Sequence, residues 1–342
     1  MKELFDLQKK LIPDLLEVMQ TRFSLLRTVN LYQPIGRRGL AESSQLTERQ
    51  VRSEIDLLYE QGLLEVTTKG MLVTEQGEKV LEQLNQFMSE IMGLTVLENR
   101  IRETLQVENV VVVPGNSDDA EWVKQEMGKA CVSYLKKIIT PNATIAVTGG
   151  TTMASVASVM TPFEVENNCL FVPARGGIGE KMENQANTIV AQMSRKAQGD
   201  YRLLYVPDPI SDSSYQNIIQ EPSIIEVLQL IKNADIVLHG IGDALTMADR
   251  RKTPHELREK LVEENAVSEA FGYYFDQQGN VVHKVRTVGL QLEDLESMKH
   301  VVTVAGGKSK AKAIESYFTH GTSNVLITDE AAAEQILRDT SL

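Results

Sequence analysis

The chain has 342 residues, 42% of them hydrophobic and 24% charged, with a formal net charge of −12. That length exceeds the size at which one hydrophobic core stops growing, so two domains are expected of a chain whose composition is ordinary for a globular protein. No apolar run reaches the roughly 18 residues of a membrane span, residues 1–20 do not pattern as a signal peptide, and the acidic balance excludes non-specific coating of nucleic acid.

From Pro13, apolar residues Leu15, Leu16, Met19, Phe23, Leu26 and Val29 recur at helical spacing, and the helix is predicted to end near Gln33-Pro34. A short helix follows over RRGLAESSQ. Thr47 then caps a helix that buries Val51, Ile55 and Leu58, leaves Arg49, Gln50, Arg52 and Ser53 outward, and ends near Gln61-Gly62. Segments 63–67 and 71–74, joined across Thr68-Lys69-Gly70, pattern as a hairpin. Helix, turn, helix and hairpin is the winged helix-turn-helix order, in which the second helix is narrow enough for the major groove.

Charge agrees with that order. Between Arg22 and Arg52 lie six arginines (22, 27, 37, 38, 49 and 52) against Glu42 and Glu48, a local net charge of +4 inside an acidic chain. The expected contacts with operator double-stranded DNA are Arg37, Arg38, Thr47, Arg49, Gln50, Arg52, Ser53 and, at the hairpin tip, Lys69. From Thr74 to Gln106 one helix is expected. Val80, Leu84, Phe87, Ile91, Leu94, Glu98, Ile101 and Leu105 alternate spacings of four and three, a coiled-coil seam with one acidic break. A helix packed on its own domain has the same pattern, but a two-fold DNA binder needs its heads held at fixed spacing, which favours dimerisation.

From Asn109 the rhythm becomes strand then helix. Candidate strands are 109–115, 144–150, 168–177, 202–207, 234–243, 300–307 and 324–330, with a less regular stretch over 266–289. Continuous apolar strands of this kind form a mostly parallel sheet buried on both faces, which binds ligands at the carboxyl ends of its strands. In 144-TIAVTGGTTMASVA-157, glycines permit close backbone approach, Thr151 and Thr152 offer hydroxyls, and the next helix offers free N–H groups. The spacing is neither a P-loop nor a dinucleotide loop. A second glycine pair in 302-VTVAGGKSKAKAI-314 opens a helix carrying Lys308, Lys310 and Lys312. Arg175 follows a third strand and Arg250 a fourth. Together these groups point to a phosphorylated small ligand. The isolated Cys131 and Cys169 suit a reducing cytoplasm, and the five histidines show no ligand spacing, so no metal is expected.

The motifs VTGGTT, VPARGGIGEKMENQANTIVAQMSRK, ADIVLHGIGD, VAGGKSKAKAI and LITDEAAAEQIL resemble, in order and over residues 90–340, the sugar-binding domain of SorC-type bacterial transcriptional regulators. The N-terminal part is most similar to members that repress glycolytic genes and are released by fructose-1,6-bisphosphate. The resemblance implies a cytoplasmic homodimer or tetramer on DNA, with no cofactor beyond the effector. It also implies an effector domain with the fold of glucosamine-6-phosphate deaminase and ribose-5-phosphate isomerase. It places Gly149, Gly150, Thr151, Thr152 and Lys310 on phosphate groups with Arg175 and Arg250, and Gln185, Asp243 and Glu269 on sugar hydroxyls.

The fold expected is therefore an N-terminal all-α, winged helix-turn-helix part and a C-terminal α/β, Rossmann-like, deaminase/isomerase-like domain with a mostly parallel sheet. The expected domains are 1–77 for DNA, 78–106 as a dimerising linker, and 107–342 for effector binding and oligomerisation. The shared fold makes a sugar-phosphate isomerase or deaminase the rival function. Deaminases carry a catalytic histidine shortly after their G-x-G-x-D loop. Here Ala244, Leu245, Thr246 and Met247 follow Asp243, and His255 comes later, heading a helical pattern. An enzyme would also have no use for a basic helix-turn-helix. An interaction module with a vestigial pocket is a third reading. The residues favour a sensor.

Overall fold

The computed structural model describes residues 13–44, 46–91, 93–163, 168–177, 181–208, 210–321 and 323–339. The chain divides into two compact units, Met1–Gly93 and Leu94–Leu342.

In the first unit, α1 (Pro13–Tyr32), α2 (Arg37–Ser44) and α3 (Glu48–Glu60) are followed by an antiparallel pair, β1 (Leu64–Thr67) and β2 (Gly70–Val73), and by α4 (Glu75–Ile91). The Thr47 hydroxyl accepts from Gln50 N at 3.3 Å, and Gln50 Oε1 accepts from Thr47 N at 3.1 Å, a reciprocal cap that starts α3. Val51, Ile55 and Leu58 then fall on one face and are buried against Phe23, Leu26, Val29, Leu40, Leu64 and Met71. Each such side chain contributes about 1.5–3 kcal/mol on burial. The hairpin is pinned to the helices by Ile35, whose backbone exchanges hydrogen bonds with Met71 at 3.3 and 2.8 Å. Gly70 permits that approach: at φ +137°, a Cβ there would stand 2.9 Å from both N and O of Ile35.

The single helix expected over 74–106 is two. Gly93 adopts φ +73°, a left-handed conformation no α-helix passes through, and α5 (Leu94–Leu105) begins after it in the second unit. Leu94, Ile101 and Leu105 are buried there. Glu98, expected as a break in a dimer seam, instead accepts from Val112 N at 3.0 Å. That bond satisfies an edge-strand donor of β3 (Asn109–Val113). Burial raises the Glu98 carboxyl above its ordinary range, partly offset by the Val112 N–H and Arg102. Val80 and Leu84 pack on the core of the first unit. The side chains of Phe87 and Ile91 lie outside what the structure describes.

The second unit is built on a parallel sheet of seven strands. With β4 (Thr144–Val147), β5 (Leu170–Pro173), β6 (Asp200–Tyr201), β7 (Ile236–His239), β12 (His300–Val304) and β13 (Val325–Asp329), the order is β3-β13-β12-β7-β4-β5-β6. Helices α6 (Glu121–Ile138), α7 (Thr151–Val159) and α8 (Ala186–Ala197) bury Val123, Met127, Cys131, Met153, Val156, Ile189 and Met193 against Ile145, Val147, Phe171, Leu238, Val304 and Ile327. Both cysteines are free and buried. The helices α9 (Asp212–Ile218) and α10 (Pro222–Lys232) precede β7. They are followed by β8 (Gly242–Asp243), α11 (Ala244–Arg250) and α12 (His255–Glu263).

Two expectations change. The strand expected at 202–207 is only β6, two residues earlier. After Arg202 N bonds Phe171 O, the Asn187 side chain takes both backbone groups of Leu204, and Gly177 N takes Val206 O, so the chain leaves the ladder with its polar groups satisfied. The irregular stretch 266–289 contains β9 (Ser268–Ala270), β10 (Tyr273–Phe275) and β11 (Val281–Lys284), which with β8 form an antiparallel sheet of order β11-β10-β9-β8. Its strands are too short to show a period of two. After α13 (Leu292–Leu295), the chain returns through β12, α14 (Ala311–His320), β13 and α15 (Glu330–Asp339).

Candidate functional site

A cavity of about 90 Å³ opens at the carboxyl ends of β4, β5, β7 and β12. A buried water occupies about 10–15 Å³ on this scale, so several such groups fit. Of the residues the sequence singled out for a ligand, Gly149, Gly150, Thr151, Thr152, Arg175, Gln185, Arg250, Glu269 and Lys310 all line it.

One side of the wall is the turn into α7. Gly149 lies so close to the 184–185 backbone that a Cβ would stand 2.7 Å from Asn184 O. Gly150 holds φ +115°, and its N–H donates to Asn184 O at 2.8 Å. As the N-cap of α7 it supplies no side-chain acceptor, so the first-turn N–H groups stay available to an anion. Across from glycine-led α7 stands Lys310, which ends a single turn of 3-10 helix, Lys308–Lys310, before α14. Among the described residues the Lys310 ammonium makes no hydrogen bond or ion pair. Burial holds its pKa below the ordinary lysine value, helped by Arg250 and Lys124 and opposed by Asp118 and Asp243. A half-buried ammonium that makes no hydrogen bond or ion pair is a group that an anionic ligand would satisfy.

The Lys310 turn is itself clamped. Asp118 accepts from Ser309 N and Oγ, both at 2.8 Å, and Asn116 Oδ1 accepts from Lys308 N at 3.2 Å. The fully buried Asp329 accepts from Gly307 N at 2.7 Å, Ser117 N at 2.8 Å and Ala332 N at 2.9 Å. Sequence inspection missed these acids, because nothing in their local pattern marks a carboxylate that ties two distant loops together.

The deep wall is a buried ionic chain. Arg175 Nη2 pairs with Asp208 Oδ2, Arg175 Nη1 approaches Glu269 Oε1 at 3.4 Å, Arg251 Nη2 meets that same oxygen at 2.7 Å, and Arg251 Nη1 donates to Tyr274 OH at 2.9 Å. Burial by itself would raise the Glu269 carboxyl, but Arg251 and Arg175, with the Gly272 N–H at 2.7 Å, hold it below the usual carboxylate range. Two cations thus face two anions. Arg175, expected as a phosphate ligand, is paired with Asp208 and Glu269, and Arg251 and Asp208 are members that sequence inspection did not single out. Asp243 does not line the cavity: its Oδ1 caps α11, accepting from Thr246 N at 2.8 Å and Thr246 Oγ1 at 2.6 Å.

No histidine lines the cavity among the described residues. His239 stands behind it, fully buried, with Nδ1 at 3.2 Å from Gly240 O and Nε2 at 2.7 Å from Thr303 Oγ1 and 3.0 Å from Ser323 Oγ. A carbonyl can only accept, so the proton sits on Nδ1. Burial pushes the His239 pKa down to about 4. A neutral imidazole off the wall and an ion-paired Glu269 do not make an acid–base pair for sugar chemistry.

In the first unit the basic surface is sorted by pairing. Arg22 bonds Glu54 at 2.6 Å, Arg37 meets Asp56 at 3.1 Å and Arg38 meets Glu42 at 3.3 Å. Gln50, expected to face outward for reading bases, has its carbonyl oxygen committed to the Thr47 cap. Arg49, Arg52 and Ser53 are exposed on α3, and Lys69 is exposed in the β1–β2 turn.

Comparison with known proteins agrees with this division. A CggR N-terminal DNA-binding domain family matches residues 18–88, and a sugar-binding domain family matches residues 89–338. The chain belongs to the SorC family of sugar-binding transcriptional regulators. It is 53% identical to the central glycolytic genes regulator of Priestia megaterium over 340 residues, 99% of each chain. It is 50% identical to the protein of that name from Bacillus subtilis, covering 99% of this chain and 100% of the other. Its fold matches a SorC family transcriptional regulator structure from Enterococcus faecalis with a TM-score of 0.68 and 47% identity, over 70% of this chain and 99% of that one. These relatives are named regulators and the chain carries their DNA-binding domain, so it is a regulator and not an enzyme.

Proposed function

We propose that this family member is a repressor of glycolytic genes whose hold on operator DNA is weakened by a phosphorylated sugar, with fructose-1,6-bisphosphate as the effector. The single observation that carries the reading is Lys310, an ammonium without a partner among the described residues, set in a cavity with Arg250 and the uncapped first turn of α7. A cluster of cations beside free helix N–H groups suits a phosphorylated ligand. In the first unit, the exposed Arg49, Arg52 and Ser53 on α3 suit a major-groove helix, and the β1–β2 turn with Lys69 suits a wing on the phosphate backbone. The relatives named as central glycolytic genes regulators support the target genes.

The protein acts as a dimer or tetramer, so that two reading heads meet adjacent half-sites. Effector binding favours an arrangement in which they no longer fit together. It can do so only through unequal affinity for the two arrangements. Fluorescence anisotropy of labelled promoter DNA, titrated with the full-length protein at fixed salt with and without fructose-1,6-bisphosphate, tests this. Specific binding that the sugar weakens or makes less cooperative is expected. Specific binding indifferent to it would send the effector assignment to other phosphosugars, and absence of specific binding would remove the repressor reading.

A further inference from the structure

Strands β9 and β10 are joined by two residues, Phe271 at φ +53° and Gly272 at φ +87°, between the paired Ala270 and Tyr273. Two consecutive left-handed residues in a two-residue hairpin turn select Asn, Asp or Gly at the first position. A bulky L side chain disfavours that backbone, and Phe271 adopts it nonetheless. The turn has no room to relax. A Cβ on Gly272 would lie 3.0 Å from Thr287 Cγ2 and 3.3 Å from Arg175 Nη2, and Gly272 N is held by Glu269.

Phe271 is only 3% exposed, and that remainder belongs to a residue lining the cavity. Its ring centroid lies 4.8 Å from that of His239. His239 is fixed in turn by Thr303 and Ser323, so the ring rests on a rigid support. The cavity thus has two chemical parts. Gly150, Thr151, Arg250 and Lys310 offer donors and charge, while Ile241, Met247, Ala270 and Phe271 offer apolar surface. Phe271 is the one aromatic residue among the described residues of that lining. Inorganic phosphate needs only the first part. A cyclic sugar phosphate presents anionic oxygens for the first and a face of C–H groups for the second.

The geometry points to Phe271 as a specificity-determining residue that packs against the C–H face of a cyclic sugar, so that the site selects ring-form sugar phosphates over inorganic phosphate. This rests on the sugar-phosphate reading above and deepens it. A turn role alone would be met better by Asn, and a packing role alone by Leu or Met. A bulky residue held at a backbone conformation it disfavours, on a ligand cavity, points to a functional constraint.

The test is calorimetric titration of the full-length protein and of F271L, F271M and F271Y with fructose-1,6-bisphosphate and with inorganic phosphate, beside thermal melts. F271L and F271M are expected to lose roughly five- to tenfold in affinity for the sugar, the size of one aromatic contact, with phosphate affinity unchanged and F271Y close to the parent. Equal losses for sugar and phosphate would show that the ring only supports the cavity and would overturn the inference, as would no loss at all. In the unaltered protein, saturation transferred from aromatic protons should reach the sugar C–H protons; no transfer would count against Phe271 whether or not the variants fold. If the unaltered protein binds no sugar phosphate, the functional reading itself fails and the inference falls with it. Sugar binding that the ring variants leave intact removes Phe271 alone.

Discussion

Both units carry exposed ion pairs, but only the second adds a buried ionic chain among the described residues. On the first, ion pairs such as Arg37–Asp56 and Arg38–Glu42 are exposed, with side chains 41% to 83% accessible, and they join residues of neighbouring helices or turns. In the second, Arg175, Asp208, Glu269 and Arg251 are buried, and their partners come from segments far apart in the chain. A surface charge can be given up to a long polyanion without loss of structure. A buried one is worth more to a small ligand because little water competes for it, and it must be balanced when no ligand is present. The first arrangement suits tracking a phosphate backbone and the second suits holding one molecule.

Breaking the buried chain gives the largest expected effect. R251M removes the main partner of Glu269 and should destabilise the second unit by about 3–5 kcal/mol in urea titration, with the double variant R251M/E269Q recovering part of it. A single loss of less than ~1 kcal/mol would place these charges in the same class as the surface pairs.

Acidification comes next. The folded His239 pKa, about 4, lies below the ordinary value of 6.5, so the unfolded chain binds the proton more readily. The contribution is fully present above pH 6.5 and is lost as pH falls towards 4, up to about 3 kcal/mol. Urea midpoints measured from pH 7 down to 5 should fall, and H239Q should flatten that slope.

The comparison sharpens on Lys310 and Arg52. K310A should weaken fructose-1,6-bisphosphate binding by roughly 1.5–3 kcal/mol and leave effector-free DNA binding intact. R52A should do the reverse, lowering the slope of log affinity against log salt by about 1. Loss of DNA affinity in K310A with ligand binding preserved would exchange the roles assigned to the two units. The smallest effect is expected from R37M, which breaks an exposed pair and should change stability by ~1 kcal/mol or less by thermal melting.

Much of the first unit was legible because its signals are local. Thr47 capping α3, the spacing of Val51, Ile55 and Leu58, and the hairpin near Gly70 each depend on residues within a few positions. The cavity was legible in its backbone part, since the glycine pair at 149–150 follows an apolar strand and the pair at 306–307 leads another into the Lys310 turn. The small antiparallel sheet was not. Its strands are two to four residues long, and Phe271 conceals the turn that joins two of them. The single helix expected over 74–106 misled because a heptad pattern carries no mark of where a helix is interrupted; the left-handed conformation of Gly93, which splits it in two, shows only in the folded chain.

The sequence by itself determined where strands pass into helices, and hence that glycine-led turns, Lys310, Arg175 and Arg250 would gather at one edge of a parallel sheet. That follows from backbone preferences acting over a few residues. Only the tertiary structure decided which of those charges was already spent. Arg175 meets Asp208 and Glu269 across 33 and 94 residues, Asp243 caps α11, and Lys310 is left without a partner among the described residues. Pairing and loss of water are properties of a neighbourhood that exists only once the chain has folded.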